Sequence, residues 1–187
     1  MTYYHQDLVV YDNGIEIPVT PITNRIPVTI RQDVPHLDLI LNRISSCAML
    51  INLIALHVER LLITRLSARA MYRKHTILLN PYTKSFSPYY RGKKKYRIFG
   101  GVTDLTPGGV FAHECGHAAI EQCPQLLTEF RVIRRHHKKS ITGYASKYLE
   151  EDVAECFRLY VTNPLQLKAI DLIRYNVMEL YAKRFKL

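Results

Sequence analysis

The feature that most constrains this chain is an apolar helical segment, Val110–Gln122, which carries two histidines and a glutamate near its start. His113 and His117 are four residues apart, so their imidazoles lie on one face of a helix. Two imidazoles turned toward a core are costly without a partner, and this spacing therefore predicts a metal site. The fold must then bring a third ligand, from another part of the chain, close to these two histidines.

Zinc is the ion that this pattern favours, because two neutral imidazole nitrogens and one carboxylate leave the fourth position for water. The ion lowers the pKa of that water, so that hydroxide is available near neutral pH. Glu114 follows the first histidine and can act as the general base. Although His-Glu-x-x-His is a short pattern, here it begins an apolar helix that follows a glycine-rich strand, which strengthens the prediction.

A second helix, predicted to begin near residue 149, offers the third ligand. Glu151 and Glu155 are four residues apart and share a helical face. Glu151 can complete a His-His-Glu site, and Glu155 can accept the free ring N–H of a zinc-bound histidine and fix its tautomer. Tyr144 lies in the preceding loop, where its phenol could donate a hydrogen bond to the oxyanion of a tetrahedral intermediate.

These two motifs, HECGH and a tyrosine followed by two glutamates, resemble the gluzincin metallopeptidases of the anthrax lethal factor type. Those include bacterial proline-specific endopeptidases and small zincins of phages and bacteria. In that family the first motif supplies two ligands and the base, and the second supplies a tyrosine and the third ligand. The corresponding residues here are His113, His117, Glu114, Tyr144 and Glu151.

The resemblance covers about residues 95–160, and the glutamate that follows the third ligand in the family corresponds to Glu155. It implies a zinc-dependent endopeptidase that hydrolyses peptide bonds and an α+β fold in which a small mixed sheet lies over the metal helix. Cys115 stands where the family usually has a bulky apolar residue, a departure that leaves the ligands unchanged.

A competing third ligand is His136 or His137, as in zincins similar to the DNA-associated SprT-like proteases. Both lie within residues 134–139, a basic stretch that is predicted to be a solvated loop after a helix over Leu126 to Ile133. Cations beside a zinc site oppose ion binding, so Glu151 is favoured. The acids that flank Glu151, Glu150 and Asp152, are expected to face solvent.

The 187 residues predict one α+β domain, with an extended arm over residues 1–34 and a catalytic core over residues 35–187. Asp12-Asn13-Gly14 predicts a β-hairpin in the arm. Apolar residues at helical spacing predict a long helix from about residue 34 to Met71. A last amphipathic helix is expected over about Leu165 to Arg184.

Gly100 and Gly101 interrupt a predicted strand, Tyr96–Val102, that comes shortly before the metal helix. Glycines in a strand let another backbone come close. A substrate peptide is therefore expected to add to an exposed edge near Ile98–Val102, with main-chain hydrogen bonds giving affinity.

The net charge of +10, from 26 Lys and Arg against 16 Asp and Glu, is clustered in residues 91–97 and 131–139. Such patches favour nucleic acid or another acidic partner. The alternative hypothesis is therefore a basic nucleic-acid- or virion-associated binding or structural protein, in which a zinc site is a scaffold.

Four cysteines without a Cys-x-x-Cys pair predict reduced thiols. The first residues do not resemble a signal peptide, and the most apolar run, Cys47–Leu56, is too short to span a bilayer. A cytoplasmic location, with or without association with a phage or virion, is the expectation.

Overall fold

The computed structural model describes residues 2–3, 9–12, 15–18, 28–30, 34, 36–48, 50–83, 86, 93–95, 102–137 and 139–185. Six helices and nine strands lie in these residues, which confirms the predicted α+β class.

The main sheet has five strands: β1 (Thr2–Tyr3), β4 (Val28–Ile30), β5 (Arg60–Ile63), β7 (Thr76–Leu79) and β6 (Ala70–Arg73). They are ordered β1-β4-β5-β7-β6. The central strands β4, β5 and β7 run parallel, whereas β1 and β6 pair antiparallel at the two edges. Leu61 and Ile63 of β5 and Ile77 and Leu79 of β7 belong to the buried core, which fixes the register of the sheet.

Two further strand pairs lie outside the main sheet. β2 (Val9–Asp12) and β3 (Ile15–Pro18) are antiparallel, with Asp12 opposite Ile15, which confirms the predicted hairpin. β8 (Lys93–Lys95) pairs with β9 (Val102–Asp104). Gly100, Gly101 and most of the strand predicted over residues 96–102 lie outside the described residues.

The long helix predicted up to Met71 is wrong. The helix α1 covers only Leu37–Ala48, and its end is tightened by a 3.0 Å bond from the Leu50 N–H to the Cys47 carbonyl. Residues 60–63 instead form the centre of the sheet, between β4 and β7. A short apolar run fits a buried strand and a helix equally, and here the long-range strand partners decide.

The remaining helices are α2 (Pro107–Gln122), α3 (Gln125–His136), α4 (Leu149–Thr162), α5 (Pro164–Ile170) and α6 (Leu172–Phe185). Two predictions need correction. The first half of the stretch 134–139 is the last part of α3 and not a loop, and the single C-terminal helix is two helices. The boundary between these two helices falls at Asp171, whose carboxylate accepts the Arg174 N–H as a cap.

Helix α2 begins at Pro107 because Thr106 caps it, with its hydroxyl accepting the Gly109 N–H at 3.3 Å. Farther along α2, a Cβ on Gly116 would lie 2.6 Å from the Ala154 Cα. Only glycine allows this approach. It brings the first turns of α4 against the histidines of α2.

All four cysteines are buried and free. In the described part of the chain, none of the helices combines the length and apolar character that a membrane crossing requires.

Candidate metal centre

Three ionisable side chains converge between α2 and α4. His113 and His117 on α2 and Glu151 in the first turn of α4 each offer one atom, and these atoms lie within 4.8 Å of one another. The Glu151 Oε2 is 3.1 Å from the His113 Nε2 and 3.8 Å from the His117 Nε2. The structure therefore brings together the three residues predicted as ligands.

This arrangement fits a bound cation. The Glu151 Oε2 is buried and accepts no hydrogen bond of good geometry from any described residue, although two imidazole nitrogens converge on it. Two imidazoles and one carboxylate are a donor set that suits zinc. The nearby Arg158 is paired with Glu155, and its charge is thereby neutralised.

Glu155 orients His113, as predicted from its position one turn after Glu151. Its Oε1 lies 3.0 Å from the His113 Nδ1. Arg158 donates two hydrogen bonds to the same carboxylate, from Nε to Oε1 at 3.1 Å and from Nη2 to Oε2 at 3.2 Å. Burial raises the pKa of Glu155, but these bonds outweigh it and lower the pKa to about 2. A carboxylate at Nδ1 leaves Nε2 available for an ion.

The two imidazoles differ in their proton affinity. Burial lowers the pKa of His113, but the adjacent carboxylates of Glu151 and Glu155 outweigh this effect and raise the pKa to about 9. Burial and the charge of His113 lower the pKa of His117 to about 4. In the metal-free protein near neutral pH, the imidazole of His113 therefore carries the positive charge and that of His117 is neutral.

Glu114, the predicted base, lies beside the ligands and is only 7% exposed. Burial raises its pKa to about 7, against the opposing charge of His113. The backbone N–H of Tyr72, on the edge strand β6, donates a hydrogen bond to this carboxylate. Glu114 thus links the metal helix to the sheet edge.

Tyr144, the predicted oxyanion donor, is 39% exposed and has its ring centroid 5.8 Å from that of His113. Burial and the nearby Glu151, to which the phenol is hydrogen-bonded, raise its pKa to about 12. The loop that carries Tyr144 is anchored, because Arg134 donates a 2.7 Å bond to the Ser146 carbonyl.

A cleft of about 380 Å³ opens over this centre. Its walls come from residues 68–70, from residues 104–105, and from α2, α4 and the Tyr144 loop. The residues that line the cleft include Ala70, Asp104, His113, Glu114, Tyr144 and Arg158.

The edge strand at this cleft is β6, whose first two residues, Ala70 and Met71, were predicted as the end of the long helix. The Asn80 N–H donates to the Arg69 carbonyl at 2.9 Å, so the backbone groups of Arg69 and Met71 face β7. The backbone groups of Ala70 and Tyr72 therefore point away from the sheet. The available signal was the short apolar strand 76–79, which predicts an antiparallel neighbour just before it.

Two other predictions can be compared with the site. His136 and His137 are exposed and lie outside the three-residue cluster. Asp152 does not face solvent: it is fully buried, and its Oδ2 accepts a 2.7 Å hydrogen bond from Arg174. Glu150 is exposed, as expected.

Comparison with known proteins gives no match among protein-family models, curated proteins or solved structures. The interpretation of the site therefore depends on its geometry and chemistry.

Proposed function

We propose that the protein is a zinc-dependent peptidase of the zincin type, with His113, His117 and Glu151 as the metal ligands. The observation that carries this proposal is the convergence of their three ligand atoms within 4.8 Å, with the buried carboxylate of Glu114 beside them. Two histidines, one carboxylate and an adjacent glutamate base are the groups that zinc hydrolases use. The resemblance of the HECGH motif to that of the gluzincins supports the same interpretation.

When bound, zinc would supply a Lewis acid for the scissile carbonyl and increase the acidity of water. Glu155 holds the His113 Nδ1–H, so that Nε2 points its lone pair toward the other ligands. Arg158 holds Glu155 in turn, which fixes the carboxylate between an imidazole and a guanidinium.

Glu114 accepts the proton of the attacking water and returns it to the leaving amine. Its pKa of about 7 suits both transfers near neutral pH. The Tyr72 N–H fixes the orientation of this carboxylate. Tyr144, whose pKa of about 12 keeps the phenol protonated, donates a hydrogen bond to the developing oxyanion.

The substrate backbone would bind along β6. Ala70 lines the cleft, and its N–H and C=O point away from the sheet. Main-chain hydrogen bonds to such an edge give affinity for an extended peptide of many sequences. The edge predicted at Ile98–Val102 stays a prediction, because most of it lies outside the described residues.

The test compares Glu114→Gln with the wild type after loading with zinc. We expect about one zinc per chain in both proteins and a loss of roughly 10²–10⁴-fold in the cleavage rate of a peptide library in the variant. Glu129→Gln, an exposed position on α3, is the matched control and should retain both. Full activity in Glu114→Gln would refute the mechanism, and absence of zinc from the wild type would refute the metal site.

A second candidate is a basic binding protein for nucleic acid or a virion, in which the metal site is a scaffold. Helix α3 favours it by exposing Arg131 and Arg135 one turn apart, followed by His136. Replacing both arginines by glutamine should reduce the slope of log affinity for DNA against log salt by about two. Binding that is unaffected by salt would contradict this function.

A further inference from the structure

The sheet face beside the cleft carries an unbalanced positive charge. Residues 60–79, which form β5, β6 and β7 with their connections, contain five Lys and Arg and no Asp or Glu. All five are exposed: Arg60, Arg65, Arg69, Arg73 and Lys74. No ion pair to any of them is found among the described residues.

Side-chain alternation along β6 directs this charge to one face of the edge strand. Ala70 and Tyr72 pack against the core, while Met71 and Arg73 are exposed. Arg69, directly before the strand, is exposed as well and belongs to the lining of the cleft. The exposed face of the edge therefore presents an arginine, a methionine and an arginine in alternate positions.

The backbone that carries Arg69 is held to the sheet by one buried side chain. Asn80, 6% exposed, donates from Nδ2 to the Leu66 carbonyl at 2.6 Å and to the Ala68 carbonyl at 3.1 Å. Its backbone N–H also donates to the Arg69 carbonyl at 2.9 Å. Arg69 consequently projects from a fixed backbone and not from a loose loop.

We propose that this edge selects peptides with an acidic side chain next to Arg69. The inference rests on the proposed peptidase function and adds a substrate class to it. A substrate strand paired with β6 has one residue opposite Ala70. Its neighbours on either side turn their side chains to the exposed face, beside Arg69 and Met71. Opposite charges at directly opposed positions on one face attract, and like charges repel.

The acids that line the cleft do not oppose this choice: Glu155 is paired with Arg158, and Glu114 accepts the Tyr72 N–H. Asp104 lines the other wall, but its Oδ1 accepts the Thr106 N–H at 2.9 Å, at the start of α2. Arg73 shares the exposed face with Arg69, but it lies beyond Tyr72, whose N–H is bonded to Glu114. Pairing of a substrate strand along the cleft therefore involves Arg69 and leaves Arg73 aside.

The experiment uses zinc-loaded protein and decapeptides that carry Glu, Gln or Lys at one position in turn. We expect Glu to exceed Lys by about tenfold in kcat/KM at one position. Arg69→Gln should abolish the preference, and Arg69→Glu should reverse it. Arg73→Glu is the matched control, since it places the same charge change on the same face, and should alter the ratio less than twofold. An equal effect of Arg69→Glu and Arg73→Glu on this ratio would overturn local recognition by Arg69.

Binding of the same peptides to Glu114→Gln separates this inference from the proposed function. Acidic peptides should bind about tenfold tighter than basic ones and slow hydrogen exchange at the Ala70 amide. Cleavage without charge preference would refute the inference and leave the peptidase intact. Charge-selective binding without cleavage in the wild type would refute the peptidase and retain the inference, and neither binding nor cleavage would refute both.

Discussion

Two clusters of buried charge surround α4, and they are balanced in different ways. In the first, Arg174 donates to Asp152 at 2.7 Å and to Asp171 at 2.5 Å, while Arg134 lies 3.9 Å from Asp152. Two carboxylates thus face two guanidinium groups. This cluster is neutral without any further ion, and it joins α4 to α3 and α6.

The second cluster is the candidate metal centre, and its charges do not cancel. With Glu114, Glu151 and Glu155 all ionised and both imidazoles neutral, the single guanidinium of Arg158 leaves two negative charges unbalanced. A zinc ion carries the opposite charge. In the metal-free protein, the raised pKa of His113 replaces part of that charge with a proton.

The comparison shows which feature distinguishes the candidate metal centre from a neutral cluster of buried charges. Both clusters leave one buried carboxylate oxygen without a hydrogen bond among the described residues, Asp152 Oδ1 in the first and Glu151 Oε2 in the second. An orphaned oxygen therefore does not distinguish them. The distinction is the net charge, together with imidazole nitrogens converging on one carboxylate.

The largest expected effect comes from breaking the neutral cluster. Asp152→Asn removes the main partner of the fully buried Arg174 and should lower the free energy of unfolding by roughly 3–5 kcal/mol. The loss should be the same with and without zinc, because this cluster needs no metal. Urea denaturation measures it. Glu150→Gln, the exposed neighbour, should stay within about 0.5 kcal/mol of the wild type. A loss below about 1 kcal/mol in Asp152→Asn would contradict the role assigned to Arg174.

The next effect concerns the candidate metal centre, through which the free energy of unfolding should depend on zinc. At free zinc a thousand times its Kd, the wild type should gain about 4 kcal/mol in the free energy of unfolding. Glu151→Gln should lose most of that gain, and its metal-free form should also be less stable than the metal-free wild type, because the carboxylate beside the protonated His113 is gone. Denaturation in buffered zinc and in a chelator measures both. Equal stabilisation of the variant would exclude Glu151 as a ligand.

The smallest effect calibrates the scale. Glu179 and Lys183 form an exposed i,i+4 pair on α6 at 3.3 Å. Glu179→Gln should change the free energy of unfolding by no more than about 0.5 kcal/mol, and less in high salt, because solvent screens the pair. Denaturation at two salt concentrations measures this. A change as large as that of Asp152→Asn would mean that burial is not what separates the two kinds of pair.

Sequence alone predicted the parts of the site that depend on short spacings. His113 and His117, like Glu151 and Glu155, are four residues apart on a helix, and this local relation survives in any fold that forms both helices. Their convergence needed only that α2 and α4 pack together. The i,i+4 pattern therefore carried most of the information about the candidate ligands.

The errors concern residues whose partners are distant in the chain. Asp152 was expected in solvent because nothing near it in sequence indicates Arg174, 22 positions away. Leu61 and Leu62 fit a helical period, but β4 and β7 make them part of a strand. The edge strand predicted near Gly100 lies outside the described residues, whereas β6 was missed as an edge because strand order is set by pairing and not by composition.

The contact at Gly116 also defines a rule for finding relatives of this chain. A side chain there would collide with Ala154, so the two positions must be small together. A search pattern for homologues should accordingly join a glycine just before the second histidine to an alanine or glycine three residues after the glutamate at position 151. Sequences that have the two histidines but a bulky residue at either position would need a different helix crossing, and their glutamate would lie elsewhere.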